Sequence, residues 1–447
     1  VLFIVWGARR IDAWFPRAKT DDLPQEKSWL KERVRPVAMH LVVPLMATLG
    51  TGPLIAHYFG HLSLAGFFTN PIIVPLVGFL VVPLGLVIGF CAVVAPGFAT
   101  GLVWLAEKLS SLTVWVVDLF ARLPLANIGV PAPNPLEVLL LYGLLIGCFA
   151  ARRKWHLAIV LGVGVMLIGA DGVYWWSQRT RRQELRITHL NVGQGDAAVV
   201  ELPNGKVLVI DAGGTATGDF DTGEAIVAPF LRSRKIIKVD YLVVSHARVD
   251  HYGGMRALVN EFAPSEFWSG AAKGKTRRFE ELGDALEKSQ IAPIVLNTTA
   301  PCRDFAPIKL CVLHPASDGA EDAPVVLRLE HGKASFLFAS DIDKRDELLL
   351  AQTAHGLRSS AVKIPRHGSA TASTQEFVGA VHAKLAILSA GARSRTEAQR
   401  DEVAEQYRQN GAEVLRTYDD GAIILETDGN ILRYHGYKSG KKGEIVL

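Results

Sequence analysis

Long uncharged apolar runs fill residues 1–175, and residues 180–447 have an ordinary soluble composition. The runs lie at about 37–57, 69–95, 100–121, 136–151 and 156–175. Most approach or exceed the roughly 20 apolar residues that a membrane-crossing helix needs, and 136–151 is short. Val1 to Arg10 reads as the end of one more such helix. The 100–121 run carries Glu107, Lys108 and Asp118, which fits an interfacial helix or one buried in a bundle. The 69–95 run holds Pro71, Pro75 and Pro83, which fits either a discontinuous helix lining a polar path or a kinked packing helix.

From about residue 185 the period changes. Strands are predicted at 185–192, 197–202, 206–211 and 241–244, with Pro203-Asn204-Gly205-Lys206 as a hairpin turn. Helices are predicted near 223–234, 253–262 and 276–289. A second series follows, with strands near 308–313, 325–330 and 335–339, a helix near 344–355, and strands near 360–364 and 384–389. A helix near 396–410 precedes closing strands near 413–418, 422–426 and 431–435. Two mixed sheets covered by helices satisfy this order, so the predicted fold is an α-helical transmembrane bundle followed by an αββα sandwich.

Composition agrees with two bodies. The 447 residues are 49% hydrophobic with positive mean hydropathy. The expected division is a membrane region at 1–175, a linker at 176–184, an α/β domain at 185–436 and a tail at 437–447. Neither an initiator Met nor a signal-peptide pattern precedes Val1, so the chain reads as part of something larger or as a truncated gene product. Basic residues gather in the 9–35 loop (Arg9, Arg10, Arg17, Lys19, Lys27, Lys31, Arg33, Arg35) and at Arg152-Arg153-Lys154. That places both loops on the cytoplasmic side and, one span later, the α/β domain outside. Arg179, Arg181 and Arg182 argue locally for the opposite side. Cys302 and Cys311 flank a short turn and could pair across two strands or remain two unrelated thiols. The net charge of +4 includes no basic stripe interleaved with aromatics. Arg277, Arg278, Arg393 and Arg395 are scattered phosphate candidates.

The densest chemistry is Ser245-His246-Ala247-Arg248-Val249-Asp250-His251, directly after the 241–244 strand. Two histidines and an aspartate in one short loop can aim several ligands at one point. Four other strand-end loops carry polar groups: Gly193-Gln194-Gly195-Asp196, Asp211-Ala212-Gly213-Gly214, Ser340-Asp341 and Pro365-Arg366-His367-Gly368-Ser369. His189 reads as structural, His314 as a turn or core residue, and His331, His355, His382 and His435 as surface residues. Ser369 reads as a helix cap.

On these motifs the chain resembles the ComEC family of competence membrane proteins, which carry transforming DNA across the bacterial inner membrane. His57 to Gly66 and the Asn70–Leu86 run resemble the end of its competence membrane domain. Residues 186–436 resemble its metallo-β-lactamase-like domain, through Asn191 to Ala197, Asp211-Ala212-Gly213, Ser245 to Gly254, Ser340-Asp341-Ile342 and His367-Gly368-Ser369. The resemblance implies metal-assisted hydrolysis of a phosphodiester or ester by two Zn²⁺ or Mn²⁺ ions about 3.5–4 Å apart. His246 and position 248 would serve one ion, Asp250 (also the candidate catalytic residue) and His251 the other. Asp341 would bridge them and His367 would complete a shell. Gln194, Asp196 and Asp211 would support the loops. The implied partners are single-stranded DNA, other DNA-uptake machinery and membrane lipid.

The sequence departs from that pattern where it matters most. The family motif is His-x-His-x-Asp-His, and Arg248 stands at the second His. A guanidinium cannot ligate a metal. Arg366 stands where the family usually has another His. Both arginines could instead hold a phosphate. A two-metal hydrolase, a one-metal hydrolase and a non-catalytic domain therefore all stay open. So do a DNA channel with an appended domain, a membrane-tethered hydrolase of a small ester or nucleotide, and a non-functional relative.

Overall fold

The computed structural model describes residues 3–7, 26–123, 126–151, 153–215, 220–270, 274, 276–299, 302–315, 323–353, 356–392 and 397–447, with side chains undescribed at 26–41 and 44. Arg9, Arg10, Arg17, Lys19, Arg152, His355, Arg393 and Arg395 lie outside the described residues. Two compact units divide the chain, Val1–Met166 and Leu167–Leu447.

The first unit is helical wherever an apolar run was predicted. Glu26–Phe59 is one helix, so the basic stretch from residue 26 onward is helical and not loop. Ala65–Val94 is not discontinuous. It runs unbroken through a wide π turn at Leu76–Val81, directly after Pro75, whose missing N–H shifts the hydrogen bonding. Pro96–Ala121 and Pro135–Ala150 follow, the latter opened by a reciprocal Asn134–Glu137 capping box. Among the described residues two helices are long and apolar enough to cross a membrane, Ala65–Val94 and Lys154–Thr180. The His57 ring meets the Pro133 carbonyl at 2.6 Å, and the Tyr142 hydroxyl donates to the Gly50 carbonyl at 2.9 Å.

The Lys154–Thr180 helix ends within the second unit, and residues 176–180, expected as linker, form its last turns. Arg179 Nε donates to the Gly205 carbonyl at 2.8 Å. The strands of this unit are β1 (Leu185–His189), β2 (Ala197–Glu201), β3 (Val207–Ala212), β4 (Tyr241–Val244), β5 (Glu266–Ser269) and β6 (Pro293–Val295). Then come β7 (Arg303–Phe305), β8 (Ile308–His314), β9 (Val326–His331), β10 (Ala334–Phe338), β11 (Ala361–Lys363) and β12 (Leu385–Leu388). The chain closes with β13 (Glu413–Arg416), β14 (Ile423–Thr427), β15 (Ile431–Gly436) and β16 (Lys442–Val446). One sheet has the order β16-β15-β14-β1-β2-β3-β4-β5-β6 and the other β13-β12-β11-β10-β9-β8-β7. Residues 437–447, expected as a tail, therefore include the edge strand of the larger sheet, in register with Ile431–His435.

Each sheet is antiparallel in one part and parallel in the other. The parallel pairs are β3-β4-β5-β6 and β10-β11-β12-β13. Both faces of the central strands are covered, which is why they read as unbroken apolar runs. Leu208, Ile210, Val243 and Trp268 face Leu327, Leu329, Phe336 and Leu385 between the sheets. Val207, Val209 and Leu242 face Leu231, Met255 and Leu258 of the covering helices. Val362, Ala386 and Val414 face Phe377, Val403 and Tyr407 on the far side. The αββα sandwich follows from this alternation.

Cys302 and Cys311 form a disulfide at the β7–β8 turn. Trp268 is completely buried, with Arg303 over its ring at 4.3 Å and its Nε1 donating to Glu266 at 2.8 Å. Trp268→Ala should lower the stability of this unit by about 3–5 kcal/mol, read as a fall in its melting temperature by near-UV circular dichroism. An unchanged melting temperature would contradict the assignment of Trp268 to the inter-sheet core.

Candidate metal centre

The loops after β3, β4, β10 and β11 leave the C-terminal ends of parallel strands, where a doubly covered sheet exposes backbone to a ligand. Together with the β1–β2 loop they bring five predicted residues to one point. Asp211, Ser340, Arg366 and His367 have positive φ, a conformation that a non-glycine residue holds only against strain. Gly195 makes a close backbone approach. A Cβ there would lie 2.5 Å from the Asp250 carbonyl, so only glycine lets the β1–β2 loop reach the β4 loop. The Asp196 N–H then donates to that same carbonyl at 3.1 Å.

Asp196, His251, Asp341 and His367 are all buried, and each offers a ligand atom within 4.8 Å of the others. The two histidines are oriented from behind. His251 Nδ1 donates to Asp211 Oδ2 at 2.8 Å, and Asp211 also accepts from the Ser245 N–H at 2.7 Å and the Ser245 hydroxyl at 2.5 Å. His367 Nδ1 donates to the Ser389 carbonyl at 3.0 Å. Both Nε2 atoms therefore point inward, as ligating imidazoles held by a second hydrogen bond do. His251 Nε2 lies 3.5 Å and His367 Nε2 3.6 Å from Asp341 Oδ1. These nitrogens, Asp341 Oδ1 and Asp196 Oδ1 are buried with no hydrogen-bond partner, while Asp196 Oδ2 meets the Lys363 ammonium. A buried polar atom left unsatisfied is costly, and a cation in their midst would satisfy all of them. The set fits one ion, and mixed His and carboxylate donors suit Zn²⁺ and tolerate Mn²⁺.

The place of a second ion is different. Arg248 reaches across it, donating through Nη1 to Asp341 Oδ2 and through Nη2 to Asp250 Oδ2, both at 3.2 Å. Asp250 stands outside the four-residue group, its Oδ2 3.5 Å from His367 Nε2. His246 also stands outside it, edge-on to His251 with ring centroids 5.7 Å apart and Nδ1 unpartnered. Gln194 accepts from Arg400 at 2.8 Å, an anchor for its loop. Arg366 lines a pocket of about 360 Å³ with His246, Arg248, Asp341, Asp343 and Asp346. Arg248 is half exposed and also borders a groove of about 1000 Å³ that runs past Gln194, Phe220, Asp250 and Tyr252.

Lys363 is the residue that the motifs did not flag. It rises from β11 into the centre, almost fully buried, where its ammonium pairs with Asp196, lies 4.0 Å from Asp341 Oδ1 and donates to the Ser340 carbonyl at 3.1 Å. A lysine inside the apolar run Ala361-Val362-Lys363-Ile364 is the one signal that the sequence held. Two smaller expectations are corrected. His331 is buried and not on the surface, and the helix at Gln375–Val381 is capped by Thr374 and not by Ser369.

Burial alone would raise the three central carboxyls, but the surrounding cations overcome it. Lys363 and His367 hold Asp196 well below the usual carboxylate range. His367, His251 and Arg248 lower Asp250, and His251, His367 and Lys363 lower Asp341. Burial opposes the charge on His251, yet Asp211 and Asp341 hold it well above the ordinary imidazole value. Asp196 likewise raises His367 against burial. Burial, with His251 beside it, pushes His246 down to about 4, so it is neutral at pH 7.

The family model described as "Competence protein" matches residues 8–155, and that described as "Metallo-beta-lactamase superfamily" matches residues 190–391. The chain is 26% identical over 422 residues to ComE operon protein 3 of Bacillus subtilis (strain 168), covering 86% of this chain and 51% of the relative. It is 26% identical over 377 residues to Competence protein ComA of Neisseria gonorrhoeae, covering 83% and 49%. The chain thus spans about half the length of these relatives. Among solved structures, the metallo-β-lactamase fold protein YhfI from Bacillus subtilis aligns with 54% of this chain and 98% of its own, at a TM-score of 0.37 and 12% identity. The second unit is a metallo-β-lactamase superfamily domain. With a region matching the competence-protein model before it, the chain is similar to the ComEC family of competence proteins.

Two outcomes follow from the centre. Arg248→His removes the cation from between Asp250 and Asp341, and should raise zinc content from at most one ion per chain toward two by elemental analysis. No rise would contradict the reading that Arg248 excludes a second ion. In metal-free protein the depressed carboxyls contribute stability above their unfolded value near 3.9 that is lost as pH falls through their folded values. The raised His251 and His367 contribute stability below about 6.5 that is lost as pH rises through theirs. The melting temperature should therefore peak between about pH 4 and 6.5, and Asp341→Asn should flatten the acid limb. A melting temperature that climbs steadily from pH 6 to 9 would contradict this assignment.

Proposed function

We propose that this chain serves DNA uptake in natural transformation, and that its metallo-β-lactamase-type domain grips the phosphodiester backbone of a strand more than it cuts it. The observation that carries this reading is Arg248. Its guanidinium bridges Asp250 and Asp341 with half of its surface open to the groove, the posture of a group that binds a phosphate oxygen while neutralising the centre behind it. Arg366 faces the adjoining pocket, where no ion pair holds it among the described residues.

One Zn²⁺ or Mn²⁺ ion held by Asp196, His251, Asp341 and His367 would polarise a phosphoryl oxygen or activate a water. With one ion and Arg248 in the other position, the site is a weak phosphodiesterase or none. The helical unit is proposed as part of a multi-pass inner-membrane channel for single-stranded DNA, and the α/β domain as external. The Cys302–Cys311 disulfide supports an oxidising compartment. Relatives named for competence favour DNA over a small ester or nucleotide as the molecule handled.

The test uses the full chain in detergent. Single-stranded oligonucleotide binding should weaken several-fold in Arg248→Ala and in Arg366→Ala. The slope of its salt dependence should fall by about 0.7 for each phosphate that is no longer neutralised. Cleavage in Mn²⁺ should be slow or absent. Unchanged binding in both variants, or rapid cleavage with two bound ions, would overturn the reading.

A further inference from the structure

The centre contains a cation of its own. Lys363 is only 5% exposed, and an ammonium so placed is tolerable only against carboxylates. The carboxylates within its reach are Asp196 and Asp341, two of the four residues that would hold a divalent ion. Among the described residues the cationic groups beside Asp196 are Lys363, His251 and His367. A divalent ion bound to the same oxygens would sit within a few ångströms of the ammonium, where like charges repel strongly in a medium of low dielectric.

Behind the cluster lies a small cavity of about 20 Å³, bordered by His189, Asp196, Asp211, Ser245, Ser340 and Lys363. Ala197, Ala198, Ile210 and Phe338 complete its mostly apolar lining, and it has room for about one water, so the ammonium has space in which to shift. The Ser340 carbonyl already accepts one of its protons on that side.

We propose that Lys363 is a built-in competitor for the metal: its ammonium neutralises Asp196 and Asp341 when no ion is bound and must give way when one binds. This rests on the reading of Asp196, His251, Asp341 and His367 as a cation site. Lys363 thereby keeps the domain folded without metal and weakens its hold on metal. The exchange is of one cation for another and makes or breaks no covalent bond.

The test compares zinc binding by the full chain and by Lys363→Met, using isothermal titration calorimetry and thermal unfolding with and without zinc. The variant should bind zinc roughly tenfold more tightly or better. Its metal-free form should melt at a lower temperature, and zinc should raise that temperature by more than it does in the unaltered chain. Lys363→Gln, which keeps a donor for the Ser340 carbonyl, should behave in the same way. Equal or weaker zinc affinity in folded variants would overturn the competitor and leave the cation site standing. Absence of zinc binding in all three proteins would overturn the cation site and the competitor with it. Failure of both variants to fold even with zinc would also overturn the proposal, because it requires zinc to replace the ammonium's charge.

Discussion

Three carboxylates, Asp196, Asp250 and Asp341, converge in a space where two are almost wholly removed from water. Their mutual repulsion sets the terms for everything around them, since buried charge persists only where it is paired. This chain supplies the pairing from its own side chains. Lys363 meets Asp196, Arg248 spans Asp250 and Asp341, and His251 stands between Asp211 and Asp341. The arrangement is a candidate centre for one cation, with a guanidinium across Asp250 and Asp341 and an ammonium against Asp196.

The fold exists to hold that convergence. Parallel strands from both sheets end at the same place, and the loops that leave them adopt left-handed backbone at Asp211, Ser340, Arg366 and His367. Such conformations are sustained by what surrounds them. Here the support is the αββα core on both sides of each sheet, together with Ser245, which ties Asp211 to Ser340 through hydroxyl contacts. The groove beside Arg248 gives the charged edge of the centre access to a ligand, while Lys363 stays behind it.

Much of the α/β unit was legible in the sequence, because its strands alternate with helices at clear changes of period. The strands at Glu266–Ser269, Pro293–Val295, Arg303–Phe305 and Lys442–Val446 were not. They are three to five residues long, and each carries proline or charge that hides the apolar pattern. The helices of the first unit follow the apolar runs, but only two of them have the length and apolarity to cross a membrane among the described residues. The loops of the site were legible from their histidines and aspartates. The grouping within it was not, because motif spacing does not show which side chains meet. Asp196 stood as a loop residue and belongs to the cluster, whereas His246 stood as a ligand and does not. Lys363 was not legible because a lysine carries no ligand signature.

The most direct measurement is anomalous diffraction at the zinc edge from crystals of the full chain purified without chelator and supplied with zinc. The account predicts at most one peak, among Asp196, His251, Asp341 and His367, with the Lys363 ammonium moved off Asp196 and Arg248 still bridging Asp250 and Asp341. Two peaks about 3.5–4 Å apart, with Arg248 swung out of the centre, would contradict it.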